Sequence, residues 1–352
     1  MTRKLASIKT ITEVRPIPDA DSIECAIVGG GWPVVVKKGE YQVGDLAIYL
    51  EIDSWVPHDL APFLSKGQDP REYNGVKGER LKTMKFRGQV SQGLLLPTTI
   101  LDEKGLWPLA GSPIGFELTQ QLGIQKWEPY IPPQLAGVVK GNFPSFVPKT
   151  DQERCQNLVE EIFRDRYGER YEVTLKLDGS SCTVYCKDGN LGVCSRNLDL
   201  EETENNTFWS TARSQKVIEA LLQLYNETGD NLALQFELIG EGIQGNQEKI
   251  QGQRLYLFDI FNIDEQRYLS PEERQEQVRA LRSLGASLEH VPVLNGDLCV
   301  SSELGSLEAL LAFADGPSMN PQARREGLVF KSLNSDFSFK AISNVWLCKT
   351  GK

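Results

Sequence analysis

Between residues 121 and 150 the chain gathers nine prolines and aromatics: Trp127, Pro129, Tyr130, Pro132, Pro133, Phe143, Pro144, Phe146 and Pro148. Proline fixes φ and removes a backbone donor, so neither a helix nor a central strand runs easily through this stretch. It reads as an ordered, extended linker, and it separates two kinds of text. Residues 1–120 carry short apolar runs, Cys25–Val28, Pro33–Val36 and Leu46–Leu50, punctuated by Gly29-Gly30-Gly31 and Lys38-Gly39-Glu40. Short strands at that spacing predict a small β-barrel, closed by a tight hairpin over Arg87–Leu96. Residues 151–352 alternate strands with helices. A helix is expected from Thr150 or Asp151 through about Arg166, with Leu158, Val159, Ile162 and Phe163 as its apolar face. Further helices are expected at Val217–Tyr225, Pro271–Leu284 and Leu304–Phe313. Two folded domains are thus predicted, over 1–120 and 151–352.

Composition narrows the class. Of the 352 residues 40% are hydrophobic and 24% charged, ordinary values for a water-soluble globular protein. No apolar run has the length of a membrane span, and the first residues lack the apolar core of a signal peptide, so a cytoplasmic location is expected. Seven cysteines without a CxxC pair argue against a disulfide framework or a zinc site, and two histidines are too few for a histidine-based metal site. The net charge of −10 argues against indiscriminate coating of nucleic acid. One local exception is Lys77–Arg87, where Lys77, Arg80, Lys82, Lys85 and Arg87 accompany a single acid, Glu79.

The chemistry centres on Lys176-Leu177-Asp178-Gly179, set between the strand-like runs Tyr171–Leu175 and Ser181–Tyr185. A lysine held in such a turn can attack phosphorus once nearby cations depress its pKa and free the lone pair. Asp178 can orient a ribose hydroxyl or the lysine, and Gly179 lets a nucleotide approach the backbone closely. Thr174 shares a strand face with Lys176; its hydroxyl can meet a base, or it is simply a good strand former. Arg196 can hold a phosphate or ribose, or be an exposed turn residue. Glu237 sits among apolar neighbours, where a charge needs a task; Glu241 competes with it in the following loop. Phe258 can stack on a base, whereas Tyr256 reads as core. Glu326 and Lys331 bracket Gly327–Phe330. Five positions apart on a regular strand they face opposite ways, so Gly327 must bend the strand if both reach one site. Lys340 follows in Ser338-Phe339-Lys340.

In order, KLDG, SRN, FELIG, YLFDI, EGLVFK and SFK resemble the motifs of the covalent nucleotidyltransferases. The barrel-like text lies before them and only twelve residues follow Lys340. That order is similar to the ATP-dependent RNA ligases of the Deinococcus type rather than to DNA ligases or capping enzymes, which carry an OB domain after the core. Ile17–Ile23, Arg87–Gly93 and Pro148–Asp151 also resemble that family. Ser338 departs from it, standing where some relatives have a second lysine. The resemblance implies an α+β fold: an N-terminal OB-like β-barrel, then an ATP-grasp-like ligase adenylation domain of antiparallel sheets and helices. It implies that Lys176 takes AMP from ATP with Mg²⁺ or Mn²⁺, and that Asp178, Glu237, Glu326, Lys331 and Lys340 serve catalysis. Glu237 and Glu326 would face the metal. Thr174, Leu175, Gly179, Arg196 and Phe258 would join Lys176, Glu237, Lys331 and Lys340 around the nucleotide. The partner would be a nicked RNA or RNA-containing duplex, gripped by Lys82, Lys85 and Arg87. Two rivals remain at this stage: another covalent nucleotidyltransferase, using DNA or GTP, and a catalytically inactive OB-type nucleic-acid-binding protein.

Overall fold

The computed structural model describes residues 4–106, 114–127 and 139–350. They form two compact units. The first comprises the described residues within 1–130 with 156–159 and 347–350, the second those within 131–155 with 160–346. No helix among the described residues is long and apolar enough to cross a membrane.

The first unit is built from β1 (Ala6–Pro16), β2 (Ile23–Val28), β3 (Trp32–Lys37), β4 (Leu46–Leu50), β5 (Ser54–Pro57), β6 (Arg71–Tyr73), β7 (Val76–Arg80), β8 (Thr83–Phe86), β9 (Gln89–Gln92), β10 (Leu94–Pro97), α1 (Thr99–Glu103) and β11 (Gln125–Lys126). Strand β1 serves two partners. Its first half pairs with β4 and its second half with β2, with an irregularity between Ile11 and Glu13. An extra residue there bends the strand and curls the sheet β10-β4-β1-β2-β3 into an antiparallel half-barrel, the OB-like module expected. Ile11, Trp32, Val34 and Tyr49 fill one side of its core; Ile8, Leu50, Val56 and Leu118 fill the other. The expected hairpin at Arg87–Leu96 lies slightly earlier. Its arms are β8 and β9, and β10 returns to the sheet beside β4.

The second unit contains β12 (Val139–Asn142), β13 (Glu153–Arg154), β14 (Arg170–Lys176), β15 (Ser180–Lys187), β16 (Asn190–Cys194), β17 (Leu198–Leu200), α2 (Thr207–Ser214), α3 (Val217–Thr228), β18 (Leu232–Gly240), β19 (Gln253–Asn262), β20 (Arg267–Tyr268), α4 (Pro271–Ser283), β21 (Glu289–His290), β22 (Val293–Cys299), α5 (Leu307–Ala314), β23 (Gly327–Ser332), β24 (Ser338–Ile342) and α6 (Asn344–Thr350), the last running past the unit's end. One sheet runs β12-β17-β16-β15-β18-β19-β20, with β21 beside β19; the other runs β13-β24-β23-β14-β22. Pairing is antiparallel except at β13–β24 and β19–β21. Leu234, Phe236 and Leu238 of β18 and Cys182 and Val184 of β15 meet Trp209, Leu221, Val278 and Leu281 of α2, α3 and α4. Helix α4 starts with a capping box, Ser270 bonding the Glu273 N–H and Glu273 bonding back, with Pro271 in the first turn.

One expected helix is replaced. The long helix from residue 150 to 166 is absent. Glu153–Arg154 join β24 as a strand, Cys155–Asn157 make a 3₁₀ turn, and Glu161–Asp165 a single wide helical turn. Asn157 instead donates to Glu51 at 2.5 Å and accepts from the Trp32 indole at 2.8 Å. Of the expected linker, Gln125 and Lys126 pair with β5, while Phe143, Phe146 and Val147 pack by Tyr185 and Phe261. Pro129, Tyr130, Pro132 and Pro133 lie outside the described residues.

Candidate active site

Strand β14 alternates cleanly. Tyr171, Val173 and Leu175 take one face; Glu172, Thr174 and Lys176 take the other. On the first face Tyr171 meets the Phe339 ring edge-on, and Phe330 and Phe339 stack at 4.7 Å. Polar groups on the second face are buried as well: Glu172 is 3% exposed, Thr174 1% and Lys331 9%. A sheet whose polar face is covered needs a reason for that polarity. Cross-strand register aligns Glu172 with Lys331 and Ser338, Thr174 with Val329 and Lys340, and Lys176 with Gly327 and Ile342. Arg154, also buried, is registered beside Lys340.

Lys176 ends β14, and Ser180 begins β15 in the other sheet. Leu177, Asp178 and Gly179 are the step between. A Cβ on Gly179 would collide with the Leu238 carbonyl, the Ile239 side chain and Glu237. Only glycine lets this turn press against β18 so closely.

The Lys176 Nζ lies 2.8 Å from Glu326 Oε1, with the side chains 24% and 14% exposed. Glu326 precedes β23, so strand alternation does not govern it and no bend at Gly327 is required. Gly327 is needed instead because a Cβ there would strike the Ala341 carbonyl on β24. Glu237 lies on the face of β18 opposite the helices and accepts a hydrogen bond from the Gly179 backbone. Burial, with the negative charges of Glu326 and Asp178, pushes its carboxyl up to about 8 against the pull of Lys176. Glu241 is exposed in the loop beyond. The side chains around Lys176 act in the opposite sense to the lysines and metal ion expected to depress its pKa. Burial alone would lower the Lys176 pKa, but Glu326, Glu237 and Asp178 outweigh it and hold the amine above its ordinary value.

Lys331 is not turned toward Lys176. Its Nζ lies 2.9 Å from Asp259 Oδ2 and donates to the Phe258 carbonyl. Burial holds its pKa below the ordinary value. Arg274 of α4 bonds Glu172 and lies 3.7 Å from Asp259. Phe258 is the extra residue of a β-bulge: Gln235 opposes Asp259, and the next residue, Phe236, opposes Leu257. Lys331 therefore holds the carbonyl that the bulge puts out of register. Tyr256 is core, as expected. Arg196 binds Asp151 through one guanidinium nitrogen at 2.8 and 2.9 Å, and Leu175 faces the apolar side of β14. Lys82, Lys85 and Arg87 are exposed in the first unit. Sequence reasoning missed Arg154, Glu172, Asp259 and Arg274. Only Glu172 carried a legible signal, the same strand parity as Lys176.

The fold and site define a two-part protein, a curled β-module followed by a sheet-bound lysine among carboxylates. Its first part matches an OB-fold domain family over residues 5–98. Its second part matches the RNA ligase family over residues 169–342. Among solved structures it is similar to a mutant of the Naegleria gruberi RNA ligase with AMP and Mn, at 50% identity over 98% of each chain and a TM-score of 0.87. A second mutant of that ligase, with ATP and Mn, matches equally, at 50% identity over 98% of each chain and a TM-score of 0.87. The same ligase with PPi matches at 50% identity over 98% of each chain and a TM-score of 0.86. No curated protein gives a significant match. The chain belongs to the RNA ligase family.

Proposed function

We propose that the protein is an ATP-dependent RNA ligase that works through a lysyl-AMP intermediate. The Lys176–Glu326 pair at the step between two sheets, with Glu237 beside it, is the observation that carries the reading. Lys176 Nζ would form a P–N bond to the α-phosphorus of ATP, and pyrophosphate would leave in line. The AMP would then pass to a 5′-phosphate, and a 3′-hydroxyl would displace it to form a phosphodiester. Such transfers depend on positioning and charge neutralisation more than on a strong base. The similar ligase structures with ATP, AMP and Mn support the choice of nucleotide and metal.

The residues fit a hard divalent ion. Among the described residues no group of three or more His, Cys, Asp or Glu side chains forms a ready-made cage. Glu237 and Glu326 offer two carboxylates, which suits Mg²⁺ or Mn²⁺ that keep waters and take further oxygens from phosphate. A cation held there would supply positive charge to the phosphate oxygens and offset the carboxylate field on Lys176. Lys176 Nζ must lose a proton before it attacks, and the carboxylates that hold it charged are those whose field a bound cation would offset. Phe258, half-buried at its bulge, would stack on adenine. Thr174 and Lys340 share the lysine's sheet face and would meet base and phosphate. Lys331 would act by holding Phe258 in place rather than by touching phosphate.

The substrate we favour is a nicked duplex with RNA on the 3′-hydroxyl side, held by Lys82, Lys85 and Arg87 of the first unit. Seven free thiols suit a reducing compartment such as the cytoplasm. The test is incubation with Mg²⁺ or Mn²⁺ and ATP labelled at the α-phosphate, beside Lys176→Ala, after pyrophosphate treatment to strip AMP acquired during expression. Label on the unmodified chain alone is expected. Label from GTP and not ATP would overturn the choice of nucleotide, and no label from either would overturn the covalent mechanism.

A further inference from the structure

Strands β8 and β9 form a two-stranded ribbon of their own. Its turn, Arg87-Gly88, has φ of 44° and 87°, and Phe86 pairs directly with Gln89. Two positive φ values in a two-residue loop make a tight turn whose twist matches its strands, so the tip is stiff. The base is tied down: the Val35 N–H of β3 donates to Ser91 Oγ at 2.9 Å. Residues 84–88 at the tip are exposed on both faces of the ribbon. Alternation puts Met84 and Phe86 on one face, 44% and 40% exposed, and Lys85 on the other. Neither apolar side chain has a place in the unit's two cores.

Charge identifies the occupant. Between Glu79 and Asp102 the sequence has no acid, in a chain of net charge −10. Among the described residues Lys82, Lys85 and Arg87 pair with no carboxylate. Arg80, by contrast, is committed to Asp53 at 2.6 Å and to the Trp127 ring. A stiff tip with Lys85 on one face, Arg87 at the turn, and an aromatic and a thioether on the other face suits a polyanion that also offers an apolar planar surface. Nucleic acid offers one where a strand is interrupted, because bases inside an intact duplex are covered by their neighbours.

We infer that the β8–β9 hairpin is a wedge that recognises the exposed base at a strand break, Phe86 stacking on it with Met84 beside, while Lys85 and Arg87 take flanking phosphates. The identity of the partner rests on the RNA ligase reading; the wedge adds what the module would distinguish, a break from a continuous duplex.

The experiment measures binding of the full chain, carrying Lys176→Ala so that no nick is sealed, to two labelled duplexes of one sequence, one nicked and one intact. Preference for the nicked duplex is expected. Phe86→Ala should lose roughly five- to hundred-fold on the nicked duplex, bringing it to the level of the intact one, with the salt slope unchanged. Phe86→Trp should keep the preference. Lys85→Ala should weaken both duplexes and lower the salt slope by roughly one. The proposal is overturned if the chain shows no preference for the nick, or if Phe86→Ala leaves that preference intact. It is also overturned if Phe86→Ala instead abolishes self-association of the chain, which would assign the face to a second copy. ATP labelling of the unmodified chain separates the two claims. Nick preference without label defeats the ligase reading alone; label without nick preference defeats the wedge alone.

Discussion

Replacing Lys331 by Met tests whether this buried lysine anchors the bulge or binds phosphate. Its ammonium serves Asp259 at 2.9 Å and the Phe258 carbonyl, with the two charged side chains only 11% and 6% exposed. Methionine fills similar volume but leaves both acceptors buried. Removing one partner of a buried pair costs about 3–5 kcal/mol, chiefly by stranding the other charge. Arg274, 3.7 Å from Asp259, still compensates part of that charge, so the lower end applies, about 3 kcal/mol. At about 2–4 °C per kcal/mol, melting should fall by roughly 6–12 °C. Asp259→Asn in the same chain removes the stranded charge and should restore much of the loss, a coupling of about 1–3 kcal/mol in the double-mutant cycle. In the labelling assay Lys331→Met should chiefly raise the ATP concentration needed, because Phe258 loses its support. An unchanged melting temperature together with loss of labelling at saturating ATP would refute this reasoning and make Lys331 a phosphate ligand.

Gly179→Ala forces a Cβ into the Leu238 carbonyl, and overpacking of that kind costs about 1–3 kcal/mol; slower labelling with a lowered melting temperature is expected. Burial, with Arg274 nearby, pushes the His290 pKa down to about 4 from 6.5. The unfolded chain therefore gains a proton first as pH falls, so stability is full above 6.5 and is lost toward 4. The linkage gives about 3 kcal/mol at most, and His290→Asn should flatten that part of the pH–stability curve. Ser270→Ala removes one arm of the α4 capping box and should cost about 1 kcal/mol in chemical denaturation. Alanine at Lys82, Lys85 and Arg87 together should lower the slope of log affinity against log salt by roughly three.

The order of short motifs made Lys176, Glu237 and Glu326 legible, because each stands in a strand or turn whose residue types constrain it locally. Phe258 and Lys331 were legible as residues but not in their geometry. A bulge exists only relative to the opposing strand, and nothing in Tyr256–Ile260 shows that β18 pairs one residue short. Asp259 and Lys331 are far apart in the chain, so their bond depends on how two sheets meet. The helix expected over 150–166 failed for a related reason. Leu158, Val159, Ile162 and Phe163 do have helical spacing, but long-range hydrogen bonds from Asn157 and recruitment of Glu153–Arg154 by β24 override local preference. The raised pKa of Lys176 was hidden because the nearest charged partner, Glu326, lies distant in sequence.

The three-residue step at Leu177-Asp178-Gly179 gives Lys176 two owners. Lys176 is the last residue of one sheet, and Glu237, registered against Ser181, belongs to the other. Sliding one sheet against the other by an ångström would therefore change the spacing between the Lys176 amine and the Glu237 carboxylate while leaving each sheet's own hydrogen bonds whole. Substitutions remote from the site, in β17 or β22, can thus detune the chemistry without loosening either sheet. Their signature would be a changed rate of labelling at an unchanged melting temperature.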